Sequence, residues 1–372
     1  MTISLDTLRR WPDLEGPDLH AVDAADRLIL DESAPARDVF SPHEIVVIGD
    51  NYGALTLGAA KAAPRSDGRR IRVHQDPLTG ERALATNAAN AGFDAFQSLP
   101  LSPDLVRDAR VVLMRLPRAL EALRDIAGLV AAHASPDVVV FAGGRIKHMT
   151  LAMNEVLREH FYTVDVTHAR QKSRVLIARG PHNGRDPVPR RAAHDGITVC
   201  AYGGAFAGAS IDIGTRFLLE NLPAETPIDG TVIDFACGTG IVATTLALRH
   251  SELEVYACDQ SYAAVASARE TARANSVDQR INVVRDDMLA SQTAGSASFI
   301  ALNPPFHVGA ALSEHIAPRM FEDAARVLRP GGELRVVWNS PLQYRAALER
   351  IVGPTRQIAR NSKFTVTSSL KR

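Results

Sequence analysis

Cysteine is scarce in this chain. Cys200, Cys237 and Cys258 are the only three in 372 residues, and none has C-x-x-C spacing. That excludes a disulfide scaffold and leaves reduced, mostly buried thiols as the expectation. The 12 histidines include no H-E-x-x-H pair and join no Cys/His cluster, so no metal is implied. No run of 18 apolar residues occurs and no apolar segment follows the start, which argues against membrane spanning and secretion. Excess charge of either sign is missing too. With 42 basic and 42 acidic residues the formal net charge is zero, so bulk electrostatics cannot drive binding to nucleic acid.

What the chain has in quantity is apolar residues, at 46%. Its length exceeds the usual single-domain range, and this content supplies two cores. Pro181, Gly184, Pro187, Pro189 and Gly196 break regular structure between Arg179 and Gly196, which places a join there. The expected division is a domain over 1–180, a linker over 181–195 and a second domain over 196–372.

The second half alternates strand, turn and helix, as in a doubly wound α/β domain. Thr231 to Phe235 reads as a buried strand, and Ala236-Cys237-Gly238-Thr239-Gly240 turns it into a helix starting near Ile241. A second strand, Leu253 to Cys258, ends in Asp259, placed about 20 residues beyond the turn to hold ribose hydroxyls. Ser261 is suited to cap a helix from Tyr262 to Ala274. Ile281 to Arg285 reads as a third strand, ending at Asp286-Asp287, two carboxylates that can face an adenine amine or simply be solvated. The segment Gly238 to Ala243 also fits the dinucleotide fingerprint G-x-G-x-x-A, so a nicotinamide oxidoreductase competes. Asp234 tips the balance, because it repels a pyrophosphate and suits the ammonium of a methionine moiety.

Asn303-Pro304-Pro305-Phe306 carries the most chemistry. It ends the apolar run Phe299 to Leu302 and joins one amide, two prolines and one aromatic. A planar exocyclic amine is a poor nucleophile, since its lone pair is delocalised. The Asn303 carboxamide oxygen and the Pro304 carbonyl can accept its two N–H bonds while Phe306 stacks on the ring. Prolines fix φ and offer carbonyls without competing donors. The glycine turn and this amine-holding turn together favour S-adenosylmethionine as cofactor. Upstream, Phe206 and Asp212-Ile213-Gly214 precede a helical stretch and are expected at the floor of the cofactor pocket.

The run from Phe206 and Asp212-Ile213-Gly214, through Asp234 to Gly240 and Asp259, to Asn303-Pro304-Pro305-Phe306-His307, resembles the ribosomal RNA guanine-N2 methyltransferases of the RsmC/RlmG type. The resemblance covers 196–372 and, more weakly, the first half. It implies a Rossmann-like class I methyltransferase fold, methylation of guanine N2, and ribosomal RNA or a ribosomal subunit as partner. Two positions depart from the family pattern. Ala236 stands where many members have Gly, and Ala207 where Ser is usual. His307 after the aromatic points to guanine, and adenine N6 or a glutamine side chain are the alternative acceptors. A non-catalytic RNA-binding assembly factor is the reading from outside enzymology.

The first half reads as a degenerate copy. Ile45 to Ile48 and Gly49 to Gly53 repeat the strand and glycine turn at a spacing near 187 residues. This alignment sets Val47 against Asp234, and Arg115-Leu116 against Asn303-Pro304. An always-charged donor cannot accept an amine's protons, so no catalysis is expected there. Basic residues gather in two places despite the neutral total. Arg170, Lys172, Arg174, Arg179, Arg185, Arg190 and Arg191 surround the join, and seven more follow Asn339 against Glu349 alone. They suggest a surface that tracks phosphates.

Overall fold

The computed structural model describes residues 4–60, 70–223, 230–305 and 310–372. The chain divides into two units, Met1–Val188 and Pro189–Arg372. In the first unit the strands are β1 (Ile45–Ile48), β2 (Ile71–His74), β3 (Phe96–Ser98), β4 (Val111–Arg115), β5 (Val139–Arg145), β6 (Phe161–Val166) and β7 (Ser173–Pro181). Its helices are α1 (Ala24–Arg37), α2 (Ala54–Ala60), α3 (Leu78–Asn90), α4 (Pro103–Val106), α5 (Leu120–His133) and α6 (Leu151–Arg158). The second unit opens with a hairpin, β8 (Arg190–His194) and β9 (Ile197–Ala201), and then α7 (Ile213–Glu220). β10 (Thr231–Phe235), α8 (Ile241–Arg249), β11 (Val255–Asp259), α9 (Tyr262–Ala274), β12 (Ile281–Arg285) and β13 (Ala297–Leu302) follow. The unit closes with α10 (Ala310–Val327), β14 (Leu328–Asn339), α11 (Arg345–Ile351), β15 (Thr355–Arg360) and β16 (Phe364–Leu370).

Both units build the same seven-stranded sheet, in orders β3-β2-β1-β4-β5-β7-β6 and β12-β11-β10-β13-β14-β16-β15. The first five strands of each pair in parallel, and the last two pairings are antiparallel, so that β7 and β16 alone run against the rest. This is the expected tandem of doubly wound α/β domains. Buried parallel strands carry apolar residues on both faces because helices cover both. Val232, Phe299 and Ala301 pack with α8 and α9 on one side, while Ile233, Ile300 and Leu302 meet Met320 and Phe321 of α10 on the other.

The join differs from the expected linker. Arg190–His194 forms β8, paired with β9 across Asp195-Gly196, whose φ values of 49° and 84° make a two-residue hairpin turn. Asp-Gly between two short runs was the available signal for it. On the other side, a Cβ at Gly184 would lie 2.3 Å from Ala132 Cα, so this stretch is packed on α5. The boundary therefore falls between Val188 and Pro189.

Strand register supports the alignment of the halves. Ile48 pairs with Met114 as Phe235 pairs with Leu302, so Val47 occupies the position of Asp234 and Arg115 that of Asn303. Arg115 is held in place by α1. Its guanidinium donates to Asp23, the N-cap, at 2.6 and 3.0 Å and to Asp26 at 2.7 Å. Burial raises the Asp23 carboxyl, but the hydrogen bond and charge of Arg115 outweigh it and hold it well below the usual range. Removing the cation leaves two neighbouring carboxylates without compensation. Arg115→Met should lower stability by about 2–3 kcal/mol, less than a fully buried pair because Asp23 is partly solvated. Urea unfolding checks this, with cofactor binding by the second unit expected to stay intact.

Candidate active site

The glycine turn after β10 is built from left-handed backbone. Ala236, Gly238 and Gly240 have φ of 59°, 53° and 74°. At Gly240 a Cβ would meet Ala268 Cβ at 2.8 Å, so glycine there lets the turn press on α9. At Gly238 a Cβ would meet nothing within 4 Å, which leaves room for a ligand to approach the backbone. Ala236 is a different matter. Its left-handed conformation supplies the reason for glycine in the family pattern, since an L residue in αL costs about 1–2 kcal/mol.

Two acids frame this turn. Asp259 Oδ2 accepts from Gly238 N at 3.1 Å and Oδ1 from Ser261 N at 2.9 Å, which ties the end of β11 to the turn. Asp234 is 3% exposed, and its Oδ2 accepts from Ala243 N at 2.9 Å, satisfying an amide in the first turn of α8. Burial pushes the Asp234 carboxyl up to about 7, and the nearby Asp259 charge adds to the rise against the Ala243 hydrogen bond. A buried acid in this condition is a ready receptor for a cation. Cys237 and Cys258 lie at adjacent strand ends, Cys237 N donating to Cys258 O at 2.9 Å, and burial holds both thiols in the neutral form.

Asp286 has another occupation. It is buried, and its Oδ2 accepts from Tyr256 Oη at 3.2 Å, Ser291 N at 2.9 Å and Ser291 Oγ at 2.7 Å, while Oδ1 takes Asp287 N at 2.9 Å. This corrects the expectation that both carboxylates face a ligand or solvent, because Asp286 organises the loop after β12. Asp287 is half-buried at the end of the same strand. At Gly214 a Cβ would meet Phe364 at 3.0 Å and the Asp212 carboxylate at 3.1 Å, so glycine lets the first turn of α7 sit close against both. Phe206 is 56% exposed, which excludes core packing as its role.

The amine-holding turn follows β13. Asn303 Nδ2 donates to Thr215 Oγ1 at 2.9 Å and to Asp212 Oδ2 at 3.2 Å. A carboxylate only accepts, so it fixes which end of the carboxamide faces it. Asn303 Oδ1 is buried with no hydrogen-bond partner among the described residues. Pro304 is buried and Pro305 exposed. Phe306 and His307 lie outside the described residues. Sequence reasoning missed Thr215, and the Asp212-x-x-Thr215 spacing of a helix cap was the signal for it. In the first unit Gln75 follows β2 where Asp259 ends β11, so a third expected ligand residue is lost there.

Open space at Gly238, the acids at either side and the orphaned acceptor on Asn303 fit a cofactor with a ribose and an ammonium. Among the described residues, no group of three or more His, Cys, Asp or Glu is placed to hold a metal ion. No helix among them is long and apolar enough to cross a membrane.

Residues 196–368 match the family model described as the methyltransferase small domain, and residues 2–182 match the RLMG N-terminal domain. The fold resembles that of the T. thermophilus 16S rRNA N2 methyltransferase RsmC, solved with AdoMet and guanosine. The TM-score is 0.73 and the identity 19%, over 96% of this chain and 97% of that one. Fold and site thus define a two-domain methyltransferase. The chain is 34% identical to the ribosomal RNA large subunit methyltransferase G of Streptomyces avermitilis, over 98% of its own length and 97% of the relative's. It is 32% identical to that of Pseudomonas aeruginosa over 98% and 97%. It belongs to the ribosomal RNA large subunit methyltransferase G family.

The raised Asp234 pKa fixes a pH dependence. Between the unfolded value of 3.8 and the folded value of about 7, the folded protein binds a proton that the unfolded chain has lost. Stability from this group is therefore greatest below pH 4 and declines until about pH 7. In Asp234→Asn that decline should vanish, so the variant gains on the parent between pH 4 and 8 by on the order of a few kcal/mol. Denaturant unfolding at the two pH values measures it.

Proposed function

We propose that the second unit transfers a methyl group from S-adenosylmethionine to the exocyclic N2 of a guanine in large-subunit ribosomal RNA, in the cytoplasm. The observation that carries the reading is the buried Asn303 Oδ1 at the end of β13, without a partner among the described residues and beside the glycine turn after β10. An orphaned buried acceptor costs about 1–3 kcal/mol, and an amine N–H would recover it. The relatives' names supply ribosomal RNA as the substrate class.

Bound S-adenosylmethionine supplies an electrophilic methyl carbon, whose bond to sulfur breaks as the bond to N2 forms. Asn303 Oδ1 and the Pro304 carbonyl accept the two N–H bonds of the amine and strengthen as positive charge develops on nitrogen. They therefore favour the transition state over the ground state. Phe306, outside the described residues, is the residue that the family resemblance assigns to stacking on the base. The methylated nitrogen then gives up its proton to water or a nearby acceptor, with His307 as a candidate relay. Asp259 holds the ribose hydroxyls, Asp287 the adenine amine, and Asp234 the methionine ammonium. Most acceleration comes from positioning, and no strong base is required. A paired guanine has to leave its stack, at a cost of a few kcal/mol, so an exposed base is the favoured target.

The neutral total charge fits weak, local phosphate contacts. Of the basic residues near the join and the C-terminal region, Arg170, Arg179 and Arg345 are engaged by Asp31, Asp165 and Glu349. Exposed pairs of this kind are worth little and exchange readily for phosphate.

The test is mass mapping of large-subunit ribosomal RNA from cells with and without the protein. One N2-methylguanosine should be absent without it and return on incubation with purified protein and S-adenosylmethionine, but not with Asn303→Ala. Loss of an N6-methyladenosine in its place would transfer the assignment to adenine. A full set of modifications would leave the assembly-factor reading.

A further inference from the structure

Resting on the assignment of Asn303 to the amine, we infer that Thr215, together with Asp212, is a positioning residue that sets the direction of the Asn303 carboxamide. Thr215 Oγ1 accepts from Asn303 Nδ2 at 2.9 Å and lies 3.3 Å from Asp212 Oδ2, to which it donates. The hydroxyl is thus oriented with its lone pair toward the amide, and the amide can present only its NH₂ to this pair. Asp212 in turn is held by the backbone, as N-cap of α7 with Thr215 N donating to Oδ2 at 3.0 Å. The consequence is that Oδ1 points away from the clamp and is left unpartnered. Without it the amide can rotate by half a turn, which would offer an amine two N–H groups in place of an acceptor.

A second, independent observation is the same clamp in the other half of the chain. α1 packs on β5 and β7 as α7 packs on β14 and β16. Its N-cap Asp23 and the third helical residue Asp26 grip Arg115, the residue in the position of Asn303. The two positions of the helix start are the same in each case, the cap and three residues on. Only the chemistry differs. Two carboxylates suit a guanidinium, whereas one carboxylate and one hydroxyl suit a carboxamide donor. The third position is thus matched in each half to the residue at the C-terminal end of β4 or β13.

The experiment uses the full chain with large-subunit ribosomal RNA transcribed in vitro and radiolabelled S-adenosylmethionine. Thr215→Val keeps the shape and removes the hydroxyl. Its kcat should fall about tenfold, the worth of the lost hydrogen bond, because Asp212 still accepts from the amide, while KM for S-adenosylmethionine and the melting temperature stay near those of the parent. Thr215→Ser should restore kcat to within about threefold, since it returns the hydroxyl without the methyl group. Parental kcat in Thr215→Val, with Asn303→Ala inactive, would overturn the clamp and leave the site assignment standing. Failure of Thr215→Ser to rescue would also overturn it, by showing that the methyl group matters instead. If Asn303→Ala is itself fully active, the site assignment fails first.

Discussion

The parallel pairing of β10 with β13 is the constraint on which the site depends. Asp234 lies opposite Ala301 and Phe235 opposite Leu302, so the glycine turn and Asn303 emerge side by side at the same edge of the sheet. β10 and β13 are where the strand order reverses, so the connections leaving them cover opposite faces and open a crevice between them. A slip of one residue would turn Asn303 to the other face and remove Asp234 from its place beneath α8.

The same architecture appears twice with opposite outcomes. In the second unit, buried polar groups are left incompletely satisfied, with a neutral-leaning acid at Asp234 and an open acceptor on Asn303. In the first unit the corresponding place is filled by Arg115, paired with Asp23 and Asp26, although burial pushes the Asp26 carboxyl up to about 7 as well. A site for a ligand needs unfilled bonding capacity, whereas a stable scaffold fills it. The two halves share one fold and divide these demands between them.

Much of this was legible in the chain. The strands at Thr231 to Phe235 and Ile281 to Arg285, the helix cap at Ser261 and the turn before Ile241 follow from short-range rules, because apolar alternation and local capping act within a few residues. The hairpin of β8 and β9 was missed because β8 is short, basic and largely exposed while β9 ends in three consecutive buried residues, so neither shows a clean alternation. Asp286 was misread for a different reason. A strand-end carboxylate has the same sequence signature whether it faces a ligand or its own loop, and only the positions of Tyr256 and Ser291 decide which.

The sequence by itself determined the duplicated α/β plan, the loss of the amine turn from the first half, and the grouping of Asn303 with two prolines. These depend on residues close together in the chain, or on a comparison of the chain with itself. Tertiary structure decided what each side chain does. Asn303 and Thr215 are 88 residues apart, and the hydrogen bond that orients the amide exists only because α7 and β13 meet. Asp234 becomes a proton-holding acid only when the sheet and α8 take water away from it. Long-range contact and desolvation are properties of the folded chain, and they turn the motif into a site.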